Sequence, residues 1–267
     1  MKSKIDLYNT YYDKFSSDAQ RAVRAETYGE DIGQSSWMTA DELRSFIKML
    51  EVNETTRVLE VGSGSGGPAM FIAEETGCSI IGVDLNEFGV KNASELVKQS
   101  LPKGRAEFRL IDASKPLPFE PDSFDVVFSN DVLCHVPDRL QVLRDWHRVL
   151  KAGGRMLFTD ALVITGIVSH EEIAMRSSVG LYFYLPAGEN ERMIKAAGFK
   201  IVTVDDLTSQ AAEVSKRWHD ARERHREAMV TLEGDENFNG LQDFLSCVHT
   251  LTSERRLSRY MYHAFKT

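Results

Sequence analysis

From residue 57 onward, short apolar runs alternate with stretches whose apolar positions recur every three to four residues. The runs fall at 57–61, 79–84, 106–111, 124–129, 155–160, 200–205 and 259–265. Helices fit between them. One starts at Pro68, a residue suited to the first helical turn. A second covers 87–99. A third runs from 138 to about 151 and is stopped by Gly153-Gly154, and a fourth covers 189–197 and is stopped by Gly198. This alternation predicts an α/β fold, a Rossmann-like parallel sheet with helices on both faces. Ligands of such sheets bind at the carboxyl ends of the strands, where the strand order reverses.

Three regions depart from the alternation. The N-terminal 50 residues carry Leu7, Tyr8, Tyr11, Tyr12 and Phe15 at helical spacing, then the mixed segment 27–37. The capping box Thr39–Glu42 follows, opening a helix with Leu43, Phe46, Ile47 and Leu50 on one face. Residues 166–185 lie between the fifth run and the next helix. Residues 211–253 precede the last run and place Val214, Trp218, Ala221, His225, Met229 and Leu232 at helical spacing. We read 1–50 as a helical lid and the other two as helical additions covering the ligand face of a single domain whose core is 57–205. Packing for stability alone is the alternative.

Composition narrows the classes. The chain of 267 residues is 42% hydrophobic and 27% charged, as in ordinary globular proteins. Its 32 basic residues against 40 acidic ones give a net charge of −8, which argues against a nucleic-acid partner. The three cysteines form no CxxC pair and no metal spacing, so no metal is expected and a reducing cytoplasm fits. The start is no signal peptide. The longest apolar stretch, 156–168, is interrupted by Asp160 and too short to span a bilayer, so no membrane partner is expected.

Residues 59–67 read LEVGSGSGG, placing four glycines in six positions directly after a strand. Gly62-x-Gly64-x-x-Gly67 satisfies the dinucleotide fingerprint but is not a P-loop, because no Lys-Ser/Thr follows. Glu60, two residues before the first glycine, would repel a pyrophosphate and suit an ammonium group. Asp84 ends the next strand, where a carboxylate can hold ribose hydroxyls. Asp112 ends the third, where an oxygen can accept from an adenine amino group. Three acids at successive strand ends favour S-adenosylmethionine over a dinucleotide.

EVGSGSGG, GVDLN, IDAS, SFDVVFSND and RVLKAGG-RMLFTD together resemble the motif series of class I S-adenosylmethionine-dependent methyltransferases. The resemblance implies a seven-stranded sheet whose last strand, 259–265, is antiparallel. It implies that Glu60, Gly62 and Gly64 face the methionine portion of the cofactor, with Asn130 beside it. Asp84 takes the ribose, and Asp112 and Ala113 flank the adenine. Gly66 and Leu85 complete the cofactor set, and S-adenosylhomocysteine would be the product.

The acceptor is a separate question. The stretch Ser129-Asn130-Asp131-Val132 lacks the Pro-Pro-aromatic sequence of amino-group DNA methyltransferases, and enclosing segments suit a small molecule. SNDVLCHVPDR with the following LQVLRDWHRVLKAGGRMLFTD resembles the sarcosine/dimethylglycine and phosphoethanolamine N-methyltransferases. That resemblance implies transfer to an amine nitrogen, with His135 as general base or as the residue fixing an active-site tyrosine. A histidine bonding a loop carbonyl is the structural alternative. Two positions depart from the phosphobase enzymes: Arg24 stands where they carry a catalytic tyrosine, and Gly180 where they carry a phosphate-binding arginine. Tyr12, Tyr28, Trp37, Tyr182 and Tyr184 are acceptor-pocket candidates through cation–π attraction, with core packing as the alternative. O- or C-methylation, a silent cofactor-binding module and a nicotinamide oxidoreductase are the rival functions. The sequence does not specify an oligomeric state.

Overall fold

The computed structural model describes residues 7–100 and 102–267. The predicted first helix starts at residue 5, and that start lies outside the described residues. Three helices come first: α1 (Leu7–Asp13), α2 (Asp18–Tyr28) and α3 (Ala40–Met49). The Thr39 side chain accepts from the Glu42 amide, as the capping pattern predicts. The α/β core then runs β1 (Arg57–Val61), α4 (Gly67–Thr76), β2 (Ser79–Asp84), α5 (Glu87–Ser100), β3 (Arg105–Leu110), β4 (Phe124–Asn130), α6 (Arg139–Val149) and β5 (Leu150–Ile164). It continues through α7 (His170–Arg176), β6 (Leu185–Pro186), α8 (Glu189–Ala196) and β7 (Phe199–Asp206). Helices α9 (Thr208–Arg224), α10 (Arg226–Glu233) and α11 (Asp235–Ser253) precede β8 (Leu257–Lys266).

The strand order is β3-β2-β1-β4-β5-β8-β7, with β8 antiparallel to both neighbours and short β6 paired with the end of β5. The sheet grows one way from β1 and the other way from β4, so a crevice opens between their carboxyl ends. Both faces are covered, which is why β1 reads as an almost unbroken buried run. On one face α6 lays Val142, Leu143, Trp146 and Val149 against Phe124 and Phe158. On the other, Leu43 and Phe46 of α3 and Ile72 of α4 meet Ile80 and Phe128.

Two expectations change. The third helix ends at Val149, and Gly153-Gly154 lie inside β5. Phe124 of β4 pairs with Leu150 but Val126 pairs with Arg155, so 151–154 bulge out of the ladder. Gly153 supplies the positive φ of 72° that the bulge needs. The addition at 166–185 is only partly helical. Ser169 and Glu172 cap α7 reciprocally, but the chain leaves the helix at Ser177 and returns to the sheet as β6. Asp160 stays inside β5 because Arg139 and Asn190 bond it there, with no exposed surface.

Tyr11, Val23, Trp218, Phe238 and Leu245 form a separate apolar cluster that joins α1 and α2 to α9 and α11. These elements stand over the carboxyl ends of the strands. Among the described residues no helix is long and apolar enough to cross a membrane.

Candidate active site

A cavity of about 880 Å³ occupies the crevice and runs from Asp112 at one end to Arg176 and Phe244 at the other. That volume lies at the upper end for a small-molecule site. Its floor is the glycine turn. Gly62 has a φ of 80°, and a Cβ there would lie 2.1 Å from Val132. Gly64 has a φ of 51°, and a Cβ there would lie 2.6 Å from the Tyr12 hydroxyl. Only glycine fits either position. The Gly64 amide donates to Asp84 Oδ2 at 2.7 Å, and the Asn86 amide donates to Oδ1 at 2.7 Å. Asp84 thus shapes the turn as well as facing the cavity.

Glu60 is the electrostatic oddity of the floor. Its side chain is buried, and Oε2 has no hydrogen-bond partner among the described residues. Burial, with the Asp84 charge as a lesser cause, pushes its carboxyl up to about 8. A carboxylate left in this state is stabilised by any cation that enters the cavity. Ser63, whose hydroxyl also lacks a partner, lines the same wall.

At the far end of the floor, Leu85 and Phe88 are exposed apolar side chains beside Ala113. Asp112 accepts from the Ser114 amide at 3.1 Å and its hydroxyl at 2.6 Å, and pairs with Lys115 at 3.0 Å. The Ser114 and Lys115 contacts hold its carboxyl below the usual range. Asn130 donates to Ser36 Oγ at 2.6 Å and accepts from Thr159 and Arg259, each at 2.9 Å. Its neighbour Asp131, at a φ of 56°, accepts from Arg259 Nε at 3.0 Å. Arg259 also pairs with Glu42 at 2.6 Å, tying β8, the end of β4 and α3 into one buried ionic cluster.

The other end is built from distant segments. His135 closes a 3₁₀ turn, Leu133–His135, and its Nδ1 lies 2.8 Å from the Leu181 carbonyl oxygen. A carbonyl only accepts, so Nδ1 carries the proton and Nε2 is the basic nitrogen of the neutral ring. Burial is the main cause that lowers its pKa, and the charge of Arg176 adds to it. The Tyr182 ring lies 4.6 Å from the His135 ring, centroid to centroid. Trp37, Trp218 and Phe244 complete the apolar wall.

The structure brings Glu60, Gly62, Gly64, Asp84, Leu85, Asp112, Ala113, Asn130, His135, Tyr12, Trp37 and Tyr182 to one cavity. Three predicted positions lie elsewhere. Gly66 faces Ala93 and Phe108, where its missing side chain lets α5 and β3 pack. Tyr28 is buried behind the wall and donates to the Ser36 carbonyl at 2.8 Å. The Tyr184 hydroxyl turns to Ser177 at 2.8 Å, within a cluster under α7. Arg24 pairs with Asp31 at 3.0 Å and stacks on Phe15, outside the cavity, whereas Gly180 lines it. The sequence gives no signal for Arg176 or Phe244, which belong to no motif; Ser63 lies within the glycine motif without a role of its own there, and Trp218 stands out only as an apolar position of a helical addition. An arginine in the last turn of a short helix looks like a solvent-facing cap.

Residues 59–158 match the family described as "Methyltransferase domain". Over 192 residues the chain is 29% identical to phosphoethanolamine N-methyltransferase 3 of Arabidopsis thaliana, covering 70% of this chain and 38% of that protein. It is 27% identical to the sarcosine/dimethylglycine N-methyltransferase of Halorhodospira halochloris, covering 81% of this chain and 78% of the relative. The solved phosphoethanolamine N-methyltransferase 2 of Haemonchus contortus, in complex with phosphomonomethylethanolamine and S-adenosylhomocysteine, superimposes with a TM-score of 0.82 at 23% identity, over 98% of this chain and 60% of that one. The chain therefore spans under two thirds of the length of the plant and nematode proteins. Motif series, strand order and antiparallel last strand agree with these likenesses: residues 59–158 match a methyltransferase-domain family, and the chain has the class I methyltransferase fold.

Proposed function

We propose that the protein is an S-adenosylmethionine-dependent methyltransferase acting on a small acceptor, with an amine nitrogen as the atom methylated. The observation that carries the cofactor is Glu60. A buried carboxyl group whose Oε2 has no partner, at the lip of a glycine turn, is stabilised as the carboxylate by a cationic ligand and disfavours a pyrophosphate. The cofactor's ammonium supplies that cation. Asp84 has lone-pair capacity left beyond its bonds from the backbone of Gly64, Leu85 and Asn86 and would take the ribose hydroxyls. Leu85, Phe88 and Ala113 offer apolar surface for the adenine.

When bound, S-adenosylmethionine supplies an electrophilic methyl group on sulfur. The chain's part is to hold the acceptor, move its proton and exclude water. An amine is protonated near neutral pH and cannot attack until it loses that proton. His135 is suited to take it, because the Leu181 carbonyl fixes the tautomer that leaves Nε2 basic and burial keeps the ring neutral. Water is kept out by Tyr12 over Gly64 and by Trp37 and Trp218 at the wall, so the N-terminal helices act as the lid. The similarity to N-methyltransferases supports nitrogen as the acceptor atom. Three cysteines without a disulfide suit a cytoplasmic setting.

Acceptor profiling with methyl-labelled cofactor tests the reading. Label is expected on an amine nitrogen. Label only on oxygen or carbon acceptors refutes the nitrogen assignment. Binding of NAD without binding of S-adenosylhomocysteine refutes the class.

A further inference from the structure

Five arginines of the described chain are buried: Arg24, Arg139, Arg176, Arg222 and Arg259. Four of them face a carboxylate. Arg24 pairs with Asp31, Arg139 with Asp160, Arg222 with Glu233, and Arg259 with Asp131 and Glu42. Arg176 is the exception. It is 3% exposed, no Asp or Glu of the described residues pairs with it, and its Nη1 has no hydrogen-bond partner. It is also the only one of the five that lines the cavity.

Its surroundings hold it in place without neutralising it. The guanidinium carbon lies 4.7 Å from the Tyr182 ring centroid and 4.8 Å from that of Phe244. Cation–π contacts stabilise a cation in part, and the rings also keep water off its faces. The carboxylates whose fields reach this end of the cavity, Asp131 and Asp160, are each committed to another arginine. A buried guanidinium without a counter-ion is costly, and an anion entering from the cavity removes that cost. Low dielectric and a charged donor make such a bond strong.

We propose that Arg176 is an oxyanion anchor, so that the methyl acceptor carries a carboxylate or a phosphate ester close to its amine. The inference rests on the methyltransferase reading above and names the acceptor class of that same site. Tyr182 touches both the Arg176 guanidinium and the His135 ring. The anion and the proton-accepting nitrogen therefore face one small volume, and a short acceptor spans it. Acceptors without an anion leave Arg176 unpaired and are selected against.

The test uses the whole chain with S-adenosylhomocysteine bound, and titrates dimethylglycine, inorganic phosphate and 2-dimethylaminoethanol by calorimetry. Dimethylglycine or phosphate is expected to bind at least tenfold more tightly than 2-dimethylaminoethanol, and which of the two binds separates carboxylate from phosphate. Arg176→Met is expected to abolish the preference and Arg176→Lys to restore part of it. Equal affinities for all three probes in the wild-type protein, a comparison that needs no variant to fold, would overturn the inference while leaving the methyltransferase reading in place. A preference that survives in Arg176→Met overturns it as well. Failure of the wild type to bind S-adenosylhomocysteine would sink the reading itself, and the inference with it.

Discussion

Two groups of buried ionisable side chains stand in or directly behind the walls of this crevice, and they are built differently. Around Arg259 every charge is answered: Asp131, Glu42 and Asn130 converge on one guanidinium that is wholly enclosed. Along the cavity wall neither Glu60 nor Arg176 forms an ion pair with any of the described residues, and each keeps a polar atom without a hydrogen-bond partner. The first group ties α3, β4 and β8 together, and the second waits for ligands. Buried charge that the fold itself neutralises is structural. Buried charge of either sign that opens onto a cavity marks what the cavity binds.

Breaking the closed cluster should produce the largest effect. Arg259→Met leaves Asp131 and Glu42 buried without their cation, and chemical denaturation should show a loss of about 3–5 kcal/mol. His135→Ala comes next. Turnover should fall by about a hundredfold or more, while affinity for S-adenosylhomocysteine changes less than about twofold. Unchanged turnover would return His135 to a purely structural part. In contrast with Arg259, removing an ionisable group that has no counter-ion should not weaken the fold. Glu60→Gln should lower cofactor affinity by about tenfold or more, since a charge-assisted bond is lost.

The same variant carries a pH signature. The Glu60 carboxyl is raised from 4.5 to about 8 in the folded chain, so the folded state holds a proton that the unfolded state has released. Stability of the ligand-free protein therefore falls as pH rises from 4.5 to 8 on this group's account. Denaturation midpoints should show Glu60→Gln equal to the wild type near pH 4.5 and more stable at pH 8. The smallest effect belongs to Tyr28→Phe, which loses the bond to the Ser36 carbonyl. It should cost about 1 kcal/mol of stability and leave the KM for the acceptor unchanged.

The two halves of the cavity also differ in how far they could be read from the chain. The cofactor half is made of consecutive strand ends, so Glu60, Asp84 and Asp112 stand at fixed offsets from glycine turns and apolar runs. The acceptor half is assembled from α7, the 180–182 loop, α9 and α11, whose residues have no common spacing. Arg176 and Phe244 meet only because α7 packs on α11. Tyr28 and Tyr184 carry the right chemistry but turn their hydroxyls to Ser36 and Ser177, a choice made by tertiary packing. The glycine pair at 153–154 has the composition of a helix stop and serves instead as a strand bulge, because Leu150 already pairs with Phe124.

The central claim is that Glu60 takes the ammonium of the cofactor, and proton linkage on binding tests it most directly. At pH 7 most of the ligand-free Glu60 is protonated, since its carboxyl sits at about 8. An ammonium beside it favours the carboxylate, so binding must release the proton. Calorimetry of S-adenosylhomocysteine in buffers of different ionisation enthalpy should show release approaching one proton at pH 7. Affinity should climb between pH 6 and 8, by up to about tenfold per pH unit. Both signals should vanish in Glu60→Gln. Tight binding with no proton release and no rise in affinity over that range would contradict the account.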